Sequence, residues 1–99
     1  MNWHKKIVFG EEAEKKRNKI INKLDNHKLE FGVYFVMLST SEKDLLDIVP
    51  GYMIYKDAYQ GKAILGVGLT KDEAFEVCSK LILRVFHETG DYDVRSYYR

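Results

Sequence analysis

A single cysteine, Cys78, and a single proline, Pro50, stand in this chain of 99 residues. One thiol cannot close an intramolecular disulfide, and no Cys-x-x-Cys or Cys/His spacing offers a structural zinc site. The longest unbroken apolar run, from Phe31 to Leu38, is eight residues, far short of the roughly 18 to 20 needed to cross a bilayer. The amino-terminal stretch Met1 to Phe9 has no apolar segment of signal-peptide length, so a cytoplasmic setting is expected. Excess charge of either sign is also missing: 16 basic and 15 acidic residues leave a net charge of +1. No long-range field draws the chain to nucleic acid or an anionic membrane.

Five cations, Lys15, Lys16, Arg17, Lys19 and Lys23, do fall close together. Glu11, Glu12 and Glu14 precede them at helical ion-pair spacing, which reads as a solvated helix face rather than a nucleic-acid patch. An apolar share of 45% in a chain of this size suits one small globular domain, residues 1–99, with its own core.

Residues 3 to 9 alternate as a short strand, and an amphipathic helix is expected from Glu11 to about His27. The Phe31 to Leu38 run reads as a strand buried on both faces. Ser41 with Asp44 resembles a helix-capping pair, so a helix carrying Leu45, Leu46, Ile48 and Val49 should follow. Between residues 50 and 60, Tyr52, Tyr55 and Tyr59 fall with Ile48 at helical spacing, favouring helix over strand. Ala63 to Leu69 reads as a second buried strand, whose Gly66 and Gly68 suit close packing by a helix.

Thr70-Lys71-Asp72-Glu73 is a capping box opening a helix that ends at Gly90, with Ala74, Phe75, Cys78, Leu81, Ile82, Val85 and Phe86 as its apolar positions. Tyr92, Val94 and Tyr98 alternate as a terminal edge strand. The expected architecture is α/β: about four strands in a mixed sheet, two central parallel strands, and three or four packed helices.

In order along the chain, Leu45-Leu46-Asp47-Ile48, Gly66-Val67-Gly68-Leu69, Glu73-Ala74 and the run Thr89-Gly90-Asp91-Tyr92-Asp93-Val94-Arg95-Ser96-Tyr97 resemble a set of short bacterial proteins without assigned activity. The likeness covers roughly residues 29 to 99. It implies a cytoplasmic bacterial origin and a complete stand-alone domain, and it transfers no catalytic or binding residue.

No catalytic constellation emerges from the residues themselves. His4, His27 and His87 are scattered, and Cys78 lies inside an apolar stripe with no histidine within a turn. Neither a metal nor an organic cofactor is expected, and binding is favoured over catalysis. Two candidate surfaces remain. Parallel central strands would bring Ser39, Thr40 and Ser41 to the same sheet edge as Gly68, Thr70 and Lys71, where helix N-termini suit a phosphate or carboxylate. A protein interface, with a homodimer partner or another protein, would use Tyr52, Tyr55, Tyr59, Tyr97 and Tyr98.

Overall fold

The computed structural model describes residues 2–28, 32–41 and 43–99. Eight elements follow one another: β1 (Trp3–Phe9), α1 (Glu11–Glu14), α2 (Arg17–Asp25), β2 (Tyr34–Leu38), β3 (Leu46–Pro50), β4 (Ile64–Gly68), α3 (Lys71–Thr89) and α4 (Val94–Tyr98). The sheet has four strands in the order β1-β4-β2-β3. β1 runs parallel to β4, and β2 runs antiparallel to both β4 and β3. The α/β class and the mixed four-stranded sheet agree with expectation, but the parallel pair is β1–β4 and the two central strands are antiparallel.

Both sheet faces are covered. On one, Phe35, Met37, Val49, Ile64 and Val67 pack against Ala13, Ile20 and Leu24 of α1 and α2. On the other, Val36 and Leu65 pack against Ala74, Val77, Leu81 and Val85 of α3 and Val94 and Tyr98 of α4. β2 contributes to both faces, which is why its sequence is continuously apolar. The expected beginning of this strand at Phe31 lies outside the described residues.

Three expected elements take other forms. The helix expected after Ser41 spans Glu42, which lies outside the described residues. Beyond it, Leu46 to Pro50 is strand, paired in register with β2 from Leu38↔Leu46 to Tyr34↔Pro50. The apparent cap at Ser41 is a turn, with the Ser41 hydroxyl accepting from Lys43 N–H at 3.2 Å. β-Branched Ile48 and Val49 fit a pleated surface, and Pro50 is tolerated because β3 is an edge.

Residues 50 to 60 form two separate 3-10 turns, Gly51–Met53 and Asp57–Tyr59, instead of one helix. At the carboxyl terminus, Val94 and Tyr98 are four apart and satisfy a helical period as well as alternation. The Asp93 carboxylate accepts from Ser96 N–H and caps α4 where a strand was expected. The expected helix from Glu11 is likewise divided at Lys15 and Lys16, so its ion pairs are Lys15–Glu12 and Arg17–Glu14 at i,i+3.

The two glycines of β4 set the distance of α3 from the sheet. A Cβ at Gly66 would lie 2.3 Å from Val77 Cγ1, and one at Gly68 would lie 2.7 Å from the backbone nitrogen of Ala74. No helix among the described residues is long and apolar enough to cross a membrane. Gly68→Ala should destabilise the domain by about 1–3 kcal/mol, because the obstructing atom is helix backbone and cannot rotate away. Urea unfolding of the two proteins measures the difference, and an unchanged midpoint would contradict the packing described.

Candidate functional site

The antiparallel pairing of β2 with β4 divides the expected ligand edge. Ser39, Thr40 and Ser41 leave β2 beside the beginning of β4, whereas Gly68, Thr70 and Lys71 follow the opposite end of β4, next to Tyr34. The two groups cannot share one ligand.

Each group already has internal work. Ser39 is buried, and its hydroxyl donates to Asp47 Oδ1 at 2.9 Å while accepting from Ser41 N–H at 3.0 Å. Thr40 N–H donates to Asp47 Oδ2. The Arg95 guanidinium donates to the carbonyls of Ser39, Ser41 and Asp44, tying α4 to the β2–β3 turn.

At the other end, the anion is supplied by the chain itself. Glu73 Oε1 accepts from Leu69 N–H at 3.0 Å and Ala13 N–H at 3.1 Å, and Oε2 accepts from Glu12 N–H at 3.2 Å. The Thr70 hydroxyl accepts from Glu73 N–H at 3.0 Å. One carboxylate thus satisfies free N–H groups at the start of both α1 and α3. Lys71 is exposed beside it.

The five tyrosines do not form one patch either. Tyr52 is exposed, Tyr59 is half-buried against the α1–α2 core, and the Tyr55 hydroxyl is shared between the carbonyls of Lys28 at 3.0 Å and Leu24 at 3.3 Å. Desolvation raises the Tyr55 pKa above its ordinary value. Tyr98 is buried, donates to Leu81 C=O at 2.8 Å, and is likewise pushed up by burial. Tyr97 hydrogen-bonds Glu88 and lies beneath the Lys6 ammonium, 4.2 Å from its ring centroid. Tyr55, Tyr59, Tyr97 and Tyr98 are therefore engaged in holding elements together.

Apart from Leu45 and Tyr52, the apolar surface left open lies on α3 and just beyond its end. Phe75 is 59% exposed, Phe86 41%, Leu83 49%, and Tyr92, whose ring stacks on Phe86 at 4.8 Å, 53%. At about 100° per residue, Phe75, Cys78, Ile82 and Phe86 occupy a sector of roughly 80°. Arg84 is about 180° from Phe75 by the same spacing, and it donates to Lys6 C=O of β1 at 2.6 Å. The apolar flank therefore looks the other way, towards β3. There Leu46 and Ile48 are half-buried in the same cluster as Cys78 and Ile82. Burial pushes the Cys78 thiol up to about 11, so it is a packing group rather than a nucleophile.

Among the described residues, β3 also keeps an open edge. Ser39 N–H donates to Leu45 C=O and Gly51 N–H to Val33 C=O, so alternate residues from Leu45 to Gly51 face β2. Leu46, Ile48 and Pro50 then direct their backbone polar groups outward. In the sequence, the signal for this surface was the width of the apolar stripe on α3, which exceeds what one sheet face can cover.

A second feature was not foreseen. Two adjoining clefts, of about 280 Å³ and 400 Å³, share Asn2, Ala63, Tyr98 and Arg99 where β1 and β4 begin and α4 ends. His4 lies on their wall, with its Nδ1 accepting from Lys6 N–H at 3.0 Å and its ring edge-on to Tyr98.

Among the described residues, no group of three or more His, Cys, Asp or Glu could hold a metal ion. No protein-family model, curated protein or solved structure matches this chain.

Two outcomes follow from this geometry. Glu73→Ala leaves three backbone donors without their acceptor and should cost about 2–3 kcal/mol, against about 1 kcal/mol for Thr70→Ala. Equal losses in denaturant unfolding would mean that Glu73 is no more than an ordinary cap. Burial, foremost, lowers the His4 pKa, so the unfolded chain binds this proton at a higher pH than the folded one. Stability should fall as pH drops below the ordinary histidine value near 6.5. His4→Asn should flatten that slope in thermal unfolding between pH 7 and pH 5.

Proposed function

We propose that the protein is a small binding module acting through protein–protein contact, with the apolar flank of α3 and the open edge of β3 as its docking surface and a second copy of the chain as its occupant. The observation that carries this reading is the row of exposed Phe75, Phe86 and Tyr92 beside the outer edge of β3, the last strand of the sheet. Contiguous exposed apolar surface next to free backbone donors and acceptors marks a site for association.

Self-complementarity favours a second copy. A two-fold axis at Ile48 pairs the outward N–H and C=O of Ile48 with the same groups of the partner, joining two four-stranded sheets into one. That operation sets the two α3 flanks antiparallel on one face of the joined sheet. Lys71 at the amino end of the flank then approaches Asp91 beyond the carboxyl end of the partner helix. Opposed helix dipoles and complementary charges add to apolar burial in that arrangement.

The other reading, a phosphate or carboxylate held between Ser39–Ser41 and Gly68–Lys71, loses its geometric basis with the antiparallel centre of the sheet. Light-scattering mass at tens of micromolar should be that of a dimer, and Phe75→Glu with Phe86→Glu should restore a monomer. Both positions are exposed, so circular dichroism should be unaltered. A monomeric native chain would reject self-association.

A further inference from the structure

We propose that the cleft at the beginning of β4 binds a small organic carboxylate with an apolar body, its carboxylate held by Lys62. This site is independent of the α3–β3 docking surface: it lies beneath α4, at the start of β1 and β4.

The cleft combines two features that one ligand class satisfies. Its floor and walls include Leu38, Leu65 and Tyr98, with Leu65 and Tyr98 fully buried behind it. Its rim carries Lys62 and Arg99, and the adjoining cleft adds Lys5. Among the described residues that line the two clefts there is no aspartate or glutamate side chain, although the chain as a whole is almost neutral. The lysines Lys62 and Lys5 are gathered at this place.

Lys62 is the recognition group. Gly61, with φ +77°, turns the chain just before it, and the half-buried Lys62 ammonium donates to Leu38 C=O at 3.3 Å. An ammonium has three donors. One anchors it to the end of β2, which leaves two for an anion. His4 adds no competing charge at neutral pH, because desolvation favours its neutral form and Nδ1 is already an acceptor.

A monoanion with an apolar body fits better than inorganic phosphate. A phosphate needs donors around several oxygens, usually from a helix N-terminus or a backbone nest. Here the rim offers the Lys62 and Arg99 side chains, and the rest of the lining is largely apolar. At about 280 Å³ the cleft exceeds the roughly 150 Å³ cavity that accommodates benzene, leaving room for a ring or short chain bearing a carboxylate.

The test is a proton–nitrogen chemical-shift titration of the full chain with benzoate, alongside its neutral isostere benzamide and inorganic phosphate. Benzoate should shift the amides of Ala63, Leu65 and Tyr98 and bind about fivefold or more tightly than benzamide, as a charge-assisted contact requires. Lys62→Gln should remove that preference, and Lys5→Gln, at an exposed position, should weaken benzoate by about twofold through longer-range attraction. Should Lys62→Gln not fold, loss of the benzoate preference in high salt provides the same reading on the native chain. Equal binding of benzoate and benzamide, shifts confined to other surfaces, or phosphate binding in place of benzoate would overturn the assignment. Oligomeric state is read separately, by light scattering, so failure here leaves the docking surface untouched and the reverse also holds.

Discussion

The Glu73 carboxylate is the point at which the two layers of helices are joined through the sheet. It sits between Leu69 N–H, just past β4, and the N–H groups of Glu12 and Ala13 at the start of α1. Gly10 precedes α1 without a side chain, and a Cβ there would lie 2.4 Å from Glu73 Cγ. Gly10 N–H in turn donates to Val67 C=O at 2.8 Å, extending the β1–β4 ladder to the helix boundary. The parallel pair, the entry to α1 and the entry to α3 are consequently fixed by one another. A carboxylate in this position also occupies the Glu12, Ala13 and Leu69 N–H groups that would otherwise be open to an external anion.

Local signals were legible wherever one residue type had one physical meaning. Thr70 and Glu73 flanking the start of a helix, Gly90 at its end with φ +80°, and paired glycines facing a helix all read correctly from sequence. The partner of Glu73 across the sheet was not legible, because Glu12 and Ala13 are 60 and more residues away in the chain. Strand direction was misread for a related reason. The alternation of strand and helix implied a crossover between β2 and β4, but the segment after Ser41 is the second arm of a hairpin. Its length and its Ser-x-x-Asp spacing suited a helix cap equally well, and only the demand of β2 for a second hydrogen-bonded neighbour decides between them.

Tyrosine shows the same limit for the candidate surfaces. Counting exposed aromatics from sequence assumes that a tyrosine without a core position is free, whereas Tyr55 and Tyr98 each carry a hydroxyl that satisfies helix carbonyls from other elements. The exposed phenylalanines, Phe75 and Phe86, lie within a helix whose apolar positions cover more than one side. Its core needs only Ala74, Val77, Leu81 and Val85. A stripe wider than its sheet is a signal readable from sequence, and the excess width marks the side on which apolar surface stays exposed.

The two edges of the sheet differ in a way that separates the surfaces. β1 departs from regular pairing with β4 between Trp3 and Val8, exposes Lys5 and Lys6 there, and has Lys6 C=O capped by Arg84. Bulges and lysines of this kind discourage a further strand. β3 has no such protection beyond its shortness and Pro50, and it adjoins the apolar flank of α3. Of the two edges, β3 is therefore the one that its own residues leave more open to a further strand. The irregular course of β1 has a second consequence, since it carries His4 and Lys5 to the wall of the cleft beneath α4. The feature that obstructs strand pairing at one edge thus also shapes a recess at the start of β1 and β4, which reaches across to Leu38 at the end of β2.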